Sequence, residues 1–191
     1  MIDLQAFCGT DARYQLHKPT TIGDFTYASN GSVMARVPRI DSIPNNADAA
    51  HINFEAIIPP DNGLAYVRVE LPPEPIWPTC ERCEGDGKCQ ECKGCGGTGE
   101  QECDMGHMHD CWDCEGDGCQ SGGTEDCANC KGSGLVRDYY PVDIGDMRLN
   151  WIYLSMLAEL PGVEIQPPLA QGAPCRFRFG GGVGAIAQMR R

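Results

Sequence analysis

A chain of 191 residues, 41% of them hydrophobic, is long enough for one ordinary domain or two small ones with a sizeable core, and no apolar run reaches membrane-spanning length. A net charge of -12 argues against an ordinary nucleic-acid binder, because phosphate affinity comes mainly from Lys and Arg. The opening MIDLQAFCGT lacks the basic start and apolar stretch of a signal peptide, so the 13 cysteines are expected to be reduced and largely metal-binding, in a soluble cytoplasmic protein.

Residues 1–79 read as the β-rich N-terminal part of an α+β domain. RYQLHKP, FTYASN and SVMARVP are strand-like, and Asn30-Gly31 between the last two is a hairpin signal. INFEAIIP fits a short helix or a strand, and AYVRVEL alternates like another strand. Pro72, Pro73, Pro75 and Pro78 then stiffen the chain into a linker.

Residues 80–134 are built of Gly, Cys and acid, with almost no apolar periodicity. They carry 13 acidic and 4 basic residues, so most of the chain's negative charge lies here. Such a segment cannot bury enough apolar surface to offset its conformational entropy, and something else must order it.

Residues 135–191 read as the C-terminal part of the α+β domain. LVRDYYPVDI predicts a strand. Leu149, Ile152, Tyr153, Met156, Leu157 and Leu160 fall on one helical face, and Pro161-Gly162 stops that helix. GVEIQ, CRFRF and VGAIAQM follow as strands. In CRFRF, Cys175, Phe177 and Phe179 share one face, and Arg176 and Arg178 share the other. The run Gly180–Gly184 reads as a hairpin turn rather than a phosphate loop, since no Lys-Ser/Thr follows and no helix opens after it.

The ordering agent is visible as a repeat. CERCEGDG from Cys80, CKGCGGTG from Cys92, CWDCEGDG from Cys111 and CANCKGSG from Cys127 all fit CxxCxGxG. Two thiolates at this spacing bind one metal from a tight turn, and the glycines permit positive φ where backbone N–H groups turn toward sulfur. A closed structural zinc site needs four ligands, so four copies imply two zinc ions per chain. Four thiolates around one divalent ion leave about −2 per site, adding to the acidity. A redox role would need a thiol pKa depressed by a helix N-terminus or a cation, and neither is evident.

The four copies resemble the cysteine-rich domain of DnaJ-type cochaperones. The resemblance implies an extended, zinc-stapled β-hairpin module in which copies one and four share one zinc and copies two and three share the other. Carried over, Cys80, Cys83, Cys127 and Cys130 form one site, and Cys92, Cys95, Cys111 and Cys114 form the second. The His-Pro-Asp tripeptide and helix pair of a J-domain are absent, so stimulation of a chaperone ATPase through such a domain is not expected.

Five cysteines stand outside the repeat. Cys8 and Cys175 read as core residues. Cys103 begins a C-x3-H-x-H run with His107 and His109, which with Cys89 or Cys119 would make a third metal site. The alternative is free thiols and solvated histidines on a loop.

The flanks carry a second resemblance. FTYASNGSVMARVPRI is similar to the strand-turn-strand of bacterial β sliding clamps, WIYLSMLAELPGVEI to the clamp helix and the following strand, and FRFGGGVGAIAQMRR to the last hairpin. Gln188-Met189-Arg190 departs from the family's Met-Pro-Met-Arg. The implied fold is a clamp-like β-rich domain with one main helix, interrupted by the zinc module. The helix carries little charge beyond Arg148 and Glu159, unlike the basic helices that line a clamp.

The expected function is that of a zinc-binding adaptor whose acidic hairpin contacts a protein partner, a basic one by charge, in a process such as DNA metabolism. The alternatives are a clamp-like replication accessory that associates with DNA and a chaperone-like binder of unfolded chains. No catalytic constellation stands out, so an enzyme is not expected.

Overall fold

Gly31, at φ 88°, reverses the chain between β2 (Phe25–Ser29) and β3 (Val33–Pro38), and the Asn30 side chain accepts hydrogen bonds from the N–H groups of Ser32 and Val33. This is the hairpin the Asn30-Gly31 pair predicts. The computed structural model describes residues 2–9, 17–45, 49, 52–103, 105–137 and 139–190. Most of RYQLHKP lies outside the described residues. The strand in that region, β1 (Thr20–Ile22), begins just after it.

Two compact units result: Met1–Glu74 with Tyr139–Arg191, and Pro75–Asp138. In the first, β1 to β3 join β4 (Val67–Arg68), β12 (Glu164–Gln166), β13 (Cys175–Phe179) and β14 (Gly182–Ile186) in one antiparallel sheet of order β1-β2-β3-β14-β13-β12-β4. AYVRVEL thus contributes only a two-residue edge strand. INFEAIIP forms a single helical turn, α1 (Phe54–Ile57), whose Phe54 ring stacks on Tyr27 at 4.8 Å.

β13 alternates as its sequence predicts. Cys175, Phe177 and Phe179 enter the core. Arg176 donates to Pro59 O (2.6 Å) and Tyr66 Oη, while Arg178 pairs with Glu164 and lies 4.0 Å from the centre of the Tyr66 ring. Opposite Phe177 stands Gly184, and opposite Phe179 stands Gly182. A Cβ on Gly184 would lie 2.2 Å from Phe177 Cζ and 2.1 Å from Met34 O. The Gly180–Gly184 run is therefore more than a turn: two of its glycines form the floor beneath two aromatic rings.

The helix departs from the sequence reading. A hairpin of β10 (Pro141–Ile144) and β11 (Met147–Asn150) precedes it, so Leu149 is a buried strand residue. The Asn150 side chain accepts from Ile152 N–H and starts α2 (Trp151–Ala158) two residues later than the apolar spacing implies. Its fully buried side chains are Leu154 and Leu157, while Ile152, Tyr153 and Met156 are half-buried. Among the described residues, no helix is long and apolar enough to cross a membrane.

The second unit has short pieces only: β5 (Lys88–Glu91), β8 (Cys119–Ser121) and β9 (Glu125–Asp126) in a sheet of order β8-β5-β9, and a hairpin of β6 (Glu100–Glu102) and β7 (Met108–Asp110). It extends beyond the cysteine repeat because Thr79 bridges Leu135 and Val136 N–H donates to Pro78 O at 2.8 Å. Its buried clusters are made almost wholly of cysteine.

Gly184→Ala is expected to lower the stability of the sheet unit by about 1–3 kcal/mol through overpacking against Phe177 and the β3 backbone. Denaturant titration of the full chain checks this, and an unchanged midpoint would show that the rings and strand can shift aside.

Candidate metal centre

All four CxxCxGxG copies fold alike. The first glycine's N–H donates to the first cysteine's carbonyl: Gly85 to Cys80 (3.1 Å), Gly97 to Cys92 (3.2 Å), Gly116 to Cys111 (3.2 Å) and Gly132 to Cys127 (3.3 Å). The second glycine's N–H donates to the second cysteine's sulfur: Gly87 to Cys83 (3.3 Å), Gly99 to Cys95 (3.3 Å), Gly118 to Cys114 (3.1 Å) and Gly134 to Cys130 (3.2 Å). The residue after the second cysteine is left-handed in every copy, with Glu84 at φ 54°, Gly96 at 59°, Glu115 at 52° and Lys131 at 52°. Donation to sulfur favours the thiolate, the form that ligates metal.

The copies pair reciprocally. Cys80 N–H donates to Gly134 O and Cys127 N–H to Gly87 O, both at 2.9 Å. Cys92 N–H donates to Gly118 O (3.1 Å) and Cys111 N–H to Gly99 O (2.8 Å). A Cβ on Gly87 would stand 2.2 Å from Gly132 O, and one on Gly134 2.1 Å from Gly85 O. Gly99 and Gly118 meet Gly116 and Gly97 in the same way. Only glycine permits this approach, and the approach brings the sulfurs together.

The structure gathers Cys80, Cys83, Cys127 and Cys130 into one tetrad and Cys92, Cys95, Cys111 and Cys114 into another, each with all sulfurs within 4.8 Å of one another. Measured pairs are Cys80–Cys127 at 3.9 Å, Cys83–Cys130 at 3.6 Å, Cys92–Cys111 at 3.8 Å and Cys95–Cys114 at 3.7 Å. Zinc–sulfur bonds of about 2.3 Å in a tetrahedron require a sulfur–sulfur edge of roughly 3.8 Å. Both tetrads could hold a metal ion, and the spacing is compatible with zinc. Seven of the eight cysteines are buried, and Cys95 is half-buried.

The thiols differ in acidity. Burial pushes Cys83 up to about 11 and Cys114 up to about 12. Burial also opposes ionisation of Cys127 and Cys95, but hydrogen bonds outweigh it. Donation from the Cys130 N–H and the Cys89 thiol helps bring Cys127 to about 6, and donation from the Gly99 N–H and Cys114 helps bring Cys95 to about 7. The first tetrad also receives a donor at Cys80, from Asn129 Nδ2 at 3.3 Å.

The remaining cysteines and histidines divide. Cys175 is buried and Cys8 half-buried against the main core of the sheet unit. Cys103 closes a turn, accepting at its carbonyl from Gly106 N–H and donating its own N–H to His107 O at 2.9 Å. His107 is exposed, and His109 faces Trp112 at 6.0 Å between ring centres. Among the described residues, Cys103, His107 and His109 share no metal-ligand cluster, whereas Cys89 and Cys119 lie with Cys127. That placement was not readable from spacing, because it depends on which strands pair.

Comparison of the chain with protein-family models, curated proteins and solved structures gives no match.

Gly87→Ala should cost one equivalent of bound zinc while leaving the second tetrad loaded, as counted by native mass spectrometry. Retention of both ions would show that the glycine contact does not govern the site. Since Cys83 and Cys114 must each lose a proton to ligate, zinc uptake should release protons. Affinity should then fall by at least about tenfold for each pH unit of acidification, measured by competition with a chromogenic chelator.

Proposed function

We propose that this protein is a zinc-binding adaptor, with one zinc ion in each cysteine tetrad and a module of DnaJ cysteine-rich type presented to a basic protein partner. The observation that carries this reading is the pair of zinc-spaced tetrads in a segment whose buried clusters, among the described residues, are almost wholly cysteine. A structural zinc contributes roughly 10–16 kcal/mol of apparent binding energy coupled to folding, enough to order such a segment. With metal supplying the order, the surface is free of packing duties.

That surface has two features suited to recognition. It is acidic, and bound zinc–thiolate centres would add about −2 each. Trp112 stands 82% exposed between Cys111 and Cys114, and Met105 and Met108, a few residues earlier in the chain, are exposed as well. An exposed Trp in an acidic segment that also exposes two Met side chains fits an anchor for a partner with a cationic rim and an apolar pocket.

The clamp-like alternative needs free cations on the sheet unit. Arg176 and Arg178 are instead occupied by Pro59 O, Tyr66 and Glu164, which favours the adaptor reading over DNA encirclement.

Trp112→Ala should leave two zinc ions bound but abolish salt-sensitive cross-linking to the partner in cells. If cross-linking persists unchanged in this variant and in high salt, the acidic anchor is not the contact. Salt-sensitive retention of duplex DNA by the purified protein would support the clamp-like reading instead, and suppression of aggregation of a denatured substrate the chaperone-like one.

A further inference from the structure

Two cysteines outside the repeat lie against the first tetrad. Cys89 sits on β5, the centre of the three-stranded sheet, and is buried. Cys119 opens β8 on one side of it. Cys127 follows β9 on the other side. The register pairs Cys89 with Ser121 and Cys119 with Glu91, so Cys89 and Cys119 are diagonal neighbours on one face. The sulfurs of Cys89, Cys119 and Cys127 all lie within 4.8 Å of one another.

We propose that Cys89, Cys119 and Cys127 hold a third metal ion, a monovalent thiophilic ion of the Cu(I) class, with Cys127 bridging it to the metal of the first tetrad. The proposal rests on the reading of that tetrad as a zinc site and goes beyond it.

Three observations support this assignment. The donor set is all sulfur, which selects soft ions, and it offers three ligands where a closed zinc site takes four. Metal–sulfur bonds of about 2.3 Å around a planar three-coordinate ion place sulfurs roughly 4.0 Å apart, inside the observed limit. A disulfide fits less well, because diagonal strand neighbours have Cα atoms roughly 7–8 Å apart, beyond the usual span of a bridge.

The surroundings suit an anionic thiolate cluster. Arg82, between the first two ligands of the repeat, carries a buried Nε with no hydrogen-bond partner. The Cys119 thiol donates to the Arg82 carbonyl at 3.6 Å, a bond that ligation would give up, and the Arg82 guanidinium lies beside the backbone of Gly118, the residue before Cys119. Cys119 is half-exposed, which leaves a route for the ion. Binding displaces the thiol protons of Cys89 and Cys119 to solvent, with no change of oxidation state.

The test is anaerobic titration of the zinc-loaded full chain with Cu(I) buffered by a competing chelator, read by native mass spectrometry and by near-ultraviolet copper–thiolate absorption. Wild type is expected to take up one Cu(I) while keeping two zinc ions. Cys89→Ser and Cys119→Ser, each still holding two zinc ions as a check on folding, should lose that one equivalent. Equal uptake by the variants overturns the proposal, and so does uptake that expels a zinc ion. Fewer than two zinc ions before copper is added would sink the two-zinc reading. Two zinc ions and no copper uptake would sink only this one.

Discussion

Glycine facing glycine across each cysteine tetrad is the contact on which the module depends. Gly87 and Gly134 lie over Gly132 and Gly85, and Gly99 and Gly118 over Gly116 and Gly97, at distances that exclude a single Cβ. That approach lets the first cysteine of each copy hydrogen-bond to the last glycine of its mate. The same approach sets four sulfurs at the edge length of a thiolate tetrahedron. Without side chains to pack, the copies are joined by backbone hydrogen bonds and by whatever the sulfurs bind.

The two units therefore obey different physics. The sheet unit is held by a hydrophobic core in which Phe177, Ile165, Leu154, Leu157 and Leu149 are all fully buried. Its stability scales with apolar area and is sensitive to single methyl groups, as the Phe177–Gly184 contact illustrates. The cysteine unit has clusters of sulfur in place of aliphatic side chains. On the zinc-binding reading its order would depend on metal, and so on pH and chelation.

Charge follows the same division. The segment with cysteine clusters in place of an apolar core has a largely polar, acidic surface, on which Trp112, Met105 and Met108 are exposed apolar side chains. In the sheet unit the arginines of β13 are engaged, Arg176 by Pro59 O and Tyr66 and the exposed Arg178 by Glu164. The negative field is thus concentrated where an exposed aromatic side chain is available, a combination suited to recognising a cationic surface.

Local chemistry made much of this legible in one dimension. The CxxCxGxG spacing specifies a metal-ligand turn, because two thiols and two glycines at those positions suffice to build it. The Asn30-Gly31 turn and the alternation of Cys175, Phe177 and Phe179 are equally local. Three features needed the tertiary structure. Asn150 capped α2 and left Leu149 in a strand, a competition between a cap and an apolar stripe that spacing alone does not resolve. Gly182 and Gly184 became a floor for aromatic rings only once β13 and β14 paired. Cys89 and Cys119 were placed beside Cys127 by the register of β5, β8 and β9, a relation between residues distant in the chain. The sequence by itself determined the ligand turns, since each is contained within eight residues. Only the fold decided which further sulfurs stand next to them, since that depends on strand pairing across the module.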